Sequence, residues 1–141
     1  MADPRLVVAF EGIGEEYVTF EIDDSTITYD GDYANGSAQV GLACTLSAGG
    51  TVALAADAET VIGKLIRVEA DNFAVVQTGG FMTLPAGTGA TLTLGSGIVG
   101  DLLVAAKGYI RTAANDTLAE VALAHGAIVD ADTTTAVVVR F

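Results

Sequence analysis

The chain has 141 residues with 18 acidic and 6 basic side chains, a formal net charge of −12. A chain of this length forms one domain that buries roughly 68% of the surface its unfolded form exposes, so it needs no disulfide or metal ion to fold. Its charge repels phosphate backbones and anionic lipid headgroups, which argues against nucleic acid and membranes as partners.

The N-terminal residues show no targeting segment. Their apolar stretch covers only residues 6–10 and has no basic flank before a long hydrophobic core, so we expect the protein to stay where it is made. Half of the acids lie in the first 32 residues. Two interpretations of this acidity are open: a solvated face, or a segment that docks on a basic partner surface.

Short runs rich in β-branched and aromatic residues, bounded by Gly, Asp or Asn, predict about a dozen strands. Residues 17–22 alternate, with Val18, Phe20 and Ile22 on one face of a half-buried strand. Regular turn signals such as Asn35-Gly36 favour a sandwich or a closed barrel. The other predicted strands are 26–29, 38–46, 51–55, 61–68, 74–77, 81–84, 90–94, 102–106, 109–112, 127–129 and 136–141.

One helix is predicted at residues 117–124, with Asn115 or Asp116 as its N-cap and Gly126 just beyond its end. Val121 and Leu123 would suit a strand equally well. Because Cys44 is the single cysteine, no disulfide can form within the chain. Cys44 lies in an apolar run and is expected to be a small buried side chain rather than a nucleophile.

An approximate internal repeat relates the middle of the chain to its C-terminal part. Residues 50–57, 62–71 and 74–76 have counterparts at 108–115, 125–132 and 136–138, and the second copy carries a longer insert where the helix is predicted. Two such units packed face to face would make one pseudo-symmetric barrel. We therefore predict an acidic N-terminal extended segment with strands at 1–36, followed by a β-barrel domain at 37–141.

Residues 95–100, Gly-Ser-Gly-Ile-Val-Gly, match the G-x-G-x-x-G pattern of dinucleotide-binding proteins. That chemistry needs a helix that opens at the glycines, so that its first amides hold the pyrophosphate. Here the following residues, 101–108, indicate a short strand, and Asp101 would repel a phosphate. The pattern is interpreted as a tight connection between strands.

No other pattern predicts catalysis, a cofactor or a resident metal. His125 is the only histidine, and with one cysteine beside it the chain lacks the ligands of a zinc site. Asp23-Asp24 and Asp30-Gly31-Asp32 offer oxygen ligands for weak calcium binding, but their spacing is not that of an EF-hand. The chain has no Trp and 6% aromatic residues, unlike the cleft of a glycosidase. We predict that the protein is not an enzyme.

The order and spacing of several strand-and-turn segments resemble the small capsid decoration, or cement, proteins of tailed bacteriophages. The resemblance implies a small β-barrel of short antiparallel strands that forms a homotrimer on the outer surface of the virion, after synthesis in the host cytoplasm. There it would bridge neighbouring major capsid proteins and stabilise the head. The segments that carry the resemblance are 36–43, 50–55, 61–65, 75–87, 100–104 and 135–139.

In such proteins the N-terminal segment often adds to shell binding by strand pairing. The residues expected to bind the capsid here are Arg5, Leu6, Val7, Val8, Ala9 and Phe10. Three alternatives stay open: another β-type phage assembly or adhesion module of the tail, baseplate or fibre, a barrel that binds carbohydrate or calcium, and an enzyme.

Overall fold

The computed structural model of the protein describes residues 13–114, 118–133 and 136–141. These residues form an all-β fold with one short helix, as the sequence predicts. Within the same ranges no helix is long and apolar enough to cross a membrane. The elements are β1 Glu16–Ile22, β2 Ala43–Ala48, β3 Thr51–Leu54, β4 Gly63–Val68, β5 Phe73–Gly79, β6 Phe81–Leu84, β7 Ile98–Leu103, β8 Ala106–Thr112, α1 Leu118–Leu123, β9 Ala127–Asp130 and β10 Val137–Arg140.

Strands β1 to β5 form a closed barrel in the order β1-β3-β2-β4-β5, so the predicted small barrel is confirmed. Its strand pairs are antiparallel except β1 and β3, which run parallel and close the ring through Glu21↔Thr51 and Ile22↔Val52. Of the three residues predicted to share the buried face of β1, Ile22 is buried and Phe20 is partly buried against the core, but Val18 is 40% exposed. Buried residues that fill this barrel are Ile22, Ile27, Cys44, Val52, Leu54, Leu65, Val68, Ala74 and Val76.

Strands β6 to β10 form a second ring, which we call the second barrel, although isolated bridges rather than strand ladders close it. The sheet β6-β10-β9 and the hairpin β7-β8 are joined by two isolated bridges. The antiparallel bridge Ile98↔His125 links β7 to the residues before β9, and the parallel bridge Ala86↔Ile110 links the end of β6 to β8. The order around this ring, β6-β8-β7-β9-β10, is that of the first barrel.

The hydrogen bonds that close the two rings join equivalent residues. The Asp23 amide donates to the Val52 carbonyl at 3.0 Å, and the Gly87 amide donates to the Ile110 carbonyl at 3.1 Å. In each ring the donor follows the first strand and the acceptor lies on the third. The sequence repeat therefore corresponds to a repeat of strand connections.

The fourth and fifth strands carry the same irregularity in both rings. In the first, Leu65 faces Val76 and the register then shifts by one residue before Arg67. In the second, Ile128 faces Val139 and the shift falls before Asp130. A β-bulge of this kind adds one unpaired residue and bends the strand, which helps a short sheet to curve into a ring.

The predicted division of the chain needs correction. The repeats were expected to combine into one barrel over 37–141, but each contributes to its own ring. Strand β1, assigned to an extended segment at 1–36, pairs with β5 along most of its length and is part of the first barrel. A boundary at residue 36 therefore does not separate two structural units.

The barrels meet where the β7–β8 hairpin crosses the loop between β3 and β4. The Gly100 amide donates to the Glu59 carbonyl at 2.8 Å, and the Ala58 amide donates to the Gly100 carbonyl at 3.0 Å. A Cβ atom on Gly100 would lie 2.1 Å from the Ala56 carbonyl oxygen. A residue without a side chain is needed there because the two backbones approach so closely.

Three predicted strands are wrong. Residues 26–29 form a loop, because the Asp23 carboxylate binds the amides of Thr26 and Ile27 in place of a neighbouring strand. Residues 90–94 are bonded to a strand at one residue, Thr112 of β8, and their other hydrogen bonds are to Gly87 and Ser96 of the same loop, so no ladder forms. Residues 102–106 contain a hairpin turn between β7 and β8.

Two further elements have different bounds. The strand predicted at 38–46 begins at Ala43, because the chain before it turns at Gly41, whose φ is +97°. The helix spans Leu118–Leu123, inside the predicted range. Its proposed caps, Asn115 and Asp116, and Thr117 lie outside the described residues.

The contact at Gly100 yields a stability prediction. Gly100→Ala places a methyl group against the backbone of the first barrel, and we expect a loss of about 1–3 kcal/mol of unfolding free energy in denaturant titrations. Gly49→Ala is the matched control, since its Cβ would meet no atom within 4 Å. A loss no larger than that of Gly49→Ala would contradict the described junction.

Candidate functional site

The described surface carries exposed apolar side chains, and single ones are ordinary on any soluble protein. Those that share one element or one cavity are informative, because contiguous apolar patches mark interaction sites. Two such places are the end of the β7–β8 hairpin and the surroundings of α1; strand β1, with Tyr17 and Val18, and the cavity lined by Tyr29 and Tyr33 are others. The exposed large apolar residues are Ile13, Tyr17, Val18, Tyr29, Tyr33, Leu46, Phe73, Leu94, Leu103, Val104, Leu118, Val121 and Leu123.

The first place is the hairpin tip, which we define as residues 103–107. Leu103 pairs with Ala106 around a two-residue loop of Val104 and Ala105. Leu103 is 42% exposed and Val104 is 86% exposed. The Val104 amide donates to Thr88 Oγ1 at 2.7 Å, which fixes the tip against the neighbouring loop. The tip thus presents apolar side chains to solvent on an ordered support.

The backbone of the tip is strained. Val104 has a φ of +61°, in the left-handed region that glycine occupies freely and a β-branched residue rarely enters. Two-residue hairpin loops need positive φ and favour Gly, Asn or Asp for that reason. A valine at this position costs stability and gains no burial in the described chain.

The second place is the α1 groove, a surface cavity of about 380 Å³ between the first barrel and the helix. Leu46 on β2 and Leu123 on α1 contribute exposed apolar surface, and Ile62 is partly buried against the core of the first barrel. None of the six helix residues is buried. The groove is lined by Thr45, Leu46, Ala58, Glu59, Thr60, Ile62 and Leu123.

Helix α1 is held by a partly buried charge contact. Glu120, whose side chain is 11% exposed, accepts hydrogen bonds from the Arg111 guanidinium and from the Ala114 amide. The hydrogen bond from Arg111 is the main cause that lowers the pKa of Glu120 below its ordinary value. Arg111 also reaches Asp57 at 3.2 Å, so it ties the helix to both barrels.

A polar cavity of about 440 Å³ lies beside Arg111. Thr88, Thr91 and Thr93 line it together with Asp101 and Arg111. The guanidinium is already paired with Asp57 and Glu120, and a backbone carbonyl takes a further bond. The cavity offers mainly hydroxyl groups, and its one cation is committed to the fold.

The residues considered for chemistry have structural places. Cys44 is buried in the first barrel, as predicted, and burial raises the pKa of its thiol to about 12. His125 packs on Phe141 with ring centroids 4.9 Å apart, and its backbone bridges to Ile98. Gly95 lies in a turn, Gly97 lies in the residues that lead into β7, and Gly100 lies within β7, so a strand rather than a helix follows the first two glycines.

The Asp23 carboxylate is used within the fold. Its oxygens accept hydrogen bonds from the amides of Thr26 and Ile27 and the hydroxyls of Ser25 and Thr26, at 2.7–3.3 Å. Burial opposes its charged form, but these bonds outweigh it and hold the pKa of Asp23 below its ordinary value. Among the described residues, no group of three His, Cys, Asp or Glu side chains could hold a metal ion.

The residues predicted to bind a capsid, Arg5 to Phe10, lie outside the described residues. Sequence reasoning missed both the hairpin tip and the α1 groove. The tip has no Gly, Asn or Asp to signal a turn, and residues 102–106 were taken for one strand. The groove joins residues from β2, the β3–β4 loop and α1, which are far apart in sequence.

No known protein family, no curated protein and no solved structure matches this chain. The functional argument therefore rests on the residues and the geometry described above.

The Asp23 loop gives a pH-dependent prediction. Folding lowers the pKa of Asp23. The ionised carboxylate therefore stabilises the fold fully at pH values above its pKa in the unfolded chain, about 3.9, and this stabilisation is lost as the pH falls through its pKa in the folded chain. We expect Asp23→Asn to cost about 1–2 kcal/mol of unfolding free energy at pH 7 in chemical denaturation, and progressively less as the pH falls below the unfolded pKa.

The adjacent Asp24→Asn is its matched control, because it removes the same charge and asparagine tolerates the φ of +58° found there. Equal losses for the two variants would show that the hydrogen bonds of Asp23 are not the cause.

The strained tip gives a second prediction. Val104→Gly should raise the unfolding free energy by about 0.5–1 kcal/mol, since relief of the left-handed strain exceeds the entropy that glycine adds to the unfolded chain. Val104→Ala, which trims the side chain and keeps the strain, should change it by less than about 0.5 kcal/mol. A glycine variant less stable than the alanine variant in thermal melts would refute the strain.

Proposed function

We propose that the protein is a non-catalytic virion component that decorates the outer surface of a phage capsid, self-associates as a homotrimer and stabilises the head by bridging major capsid proteins. The observation that carries this proposal is the display of apolar side chains at the hairpin tip and the α1 groove. Exposed apolar groups on a firm β scaffold are typical of a protein that is covered in an assembly.

The resemblance in segment order supports the same function, and the charge is consistent with it. A chain of net charge −12 has little attraction for packaged DNA. Decorating a large repetitive surface calls for contact area and symmetry rather than a deep pocket. In this proposal residues 5–10 add a strand to a sheet edge of the capsid.

The test is co-sedimentation of the purified protein with assembled heads that lack it, together with its mass by light scattering. We expect a mass of three chains in solution and saturable binding to heads. A strict monomer that never sediments with heads would refute the proposal. Sedimentation with tails alone would favour the alternative of a tail, baseplate or fibre module.

The fold dictates how the N-terminal contribution is tested. Deleting residues 1–36 would remove β1 and the buried Ile27, and the first barrel would lose one of its five strands. Deleting residues 1–12 leaves every described element whole. We expect this shorter chain to keep its melting temperature and its self-association but to bind heads at least about tenfold more weakly. Unchanged head binding would exclude residues 5–10 as the contact.

A further inference from the structure

We propose that the hairpin tip of one copy of this chain docks into the α1 groove of a second copy. This inference rests on the proposed homotrimer and names the two surfaces that form it. The tip is the exposed end of a hairpin, whereas the groove is concave, so one chain carries both halves of a contact. Leu103 and Val104 would enter the groove between Leu46 and Leu123.

Backbone strain marks both halves of the contact. The described residues other than glycine that have positive φ are Asp24, Ala58, Asn72 and Val104. Asp and Asn tolerate this conformation, but Ala and Val do not. Val104 lies on the tip and Ala58 lines the groove. Strain of this kind persists where function requires a particular backbone shape.

The first barrel provides an internal comparison. Its β2–β3 hairpin is equivalent to the β7–β8 hairpin, and its end pair Ala48↔Thr51 encloses Gly49 and Gly50. The second barrel has Val104 and Ala105 in that loop and Leu103 before it. In the first barrel, glycines are enough to form this turn. The turn itself therefore does not require the exposed apolar residues found in the second hairpin.

The helix is the second departure from the repeat. The connection between the third and fourth strands covers residues 55–62 in the first barrel and 113–126 in the second, where it contains α1. The added residues form one wall of the groove through Leu123. The changed hairpin loop and the added helix therefore both fall on the surfaces of the proposed contact.

Charge complementarity favours a second copy as the occupant. Lys107 ends the tip and is exposed, and it forms no ion pair with the described side chains. Glu59 lines the groove, and its carboxylate binds only the Ala56 amide there. Two chains of net charge −12 repel each other, so a local pair of opposite charges at the contact is needed to orient them.

The symmetry follows from the nature of the contact. Tip and groove are different surfaces, so each copy offers one of each and the interface is heterologous. Heterologous contacts close into rings when the rotation between copies permits it. A ring of three satisfies every tip and every groove, which agrees with the proposed homotrimer.

The experiment uses one tip variant and one groove variant of the full chain. Val104→Asp places a carboxylate on the tip, and Leu46→Lys places a cation where Lys107 would arrive. Both residues are exposed, so the monomer is expected to keep its circular dichroism spectrum. We expect each variant to weaken self-association by about thirtyfold or more in sedimentation equilibrium. Leu94→Asp is the control, because Leu94 is 66% exposed and belongs to neither surface.

Mixing the two variants distinguishes this contact from a symmetric one. The tip variant retains a good groove and the groove variant retains a good tip, so a 1:1 mixture should form a heterodimer by native mass spectrometry. Neither variant alone should do so. A tip variant that remains trimeric, or a mixture that stays monomeric, would overturn the inference.

Head binding, together with the masses of the wild-type chain and its variants, distinguishes failure of the tip-to-groove contact from failure of the proposed function. A wild-type trimer that sediments with heads, together with trimeric Val104→Asp, would refute the tip-to-groove contact and leave decoration standing. A monomeric wild-type chain that sediments with heads would refute both the contact and the homotrimer, and would leave binding to the capsid standing. Wild-type protein that never sediments with heads, but yields the predicted heterodimer, would refute decoration and support the contact.

Discussion

The structure depends on one short parallel contact that each ring repeats, between its first strand and its third. All the other named strand pairs are antiparallel and could form an open sheet, but the bonds from Asp23 to Val52 and from Gly87 to Ile110 close the two rings. Closure removes free sheet edges, which otherwise invite pairing with other chains. It also lets strands of four to seven residues enclose a core.

A closed ring has no free strand edge with which another chain could pair, and this limits the surfaces that remain for assembly. Association must then use hairpin ends, loops and inserts, and these are the places where the second barrel differs from the first. Arg111 connects the insert to the rest, since it pairs with Glu120 on the helix and with Asp57 in the first barrel. The surfaces proposed for assembly are therefore held by the same contacts that join the barrels.

The sequence predicted the features that depend on local pattern. Strand β1, the small helix, the buried Cys44 and the repeat were all visible in the sequence pattern, although the alternation in β1 buries Ile22 and leaves Val18 exposed. Ring closure was not visible, since it joins residues 30 and 24 positions apart, Ile22 to Val52 and Ala86 to Ile110. Residues 26–29 have a strand-like composition, but the amides of Thr26 and Ile27 donate hydrogen bonds to the Asp23 carboxylate instead of to a neighbouring strand. The turn at Val104 was missed because valine is the wrong residue for it by every local rule.

The central claim is that this chain is an assembly component made of two equivalent small barrels and placed on the outside of a capsid. An electron cryo-microscopy map of the assembled particle tests it most directly. The account predicts density on the outer surface in groups of three copies, each copy with two adjoining barrels and the second hairpin of one copy against the helix of the next. A particle with no such density on its outer surface would contradict it.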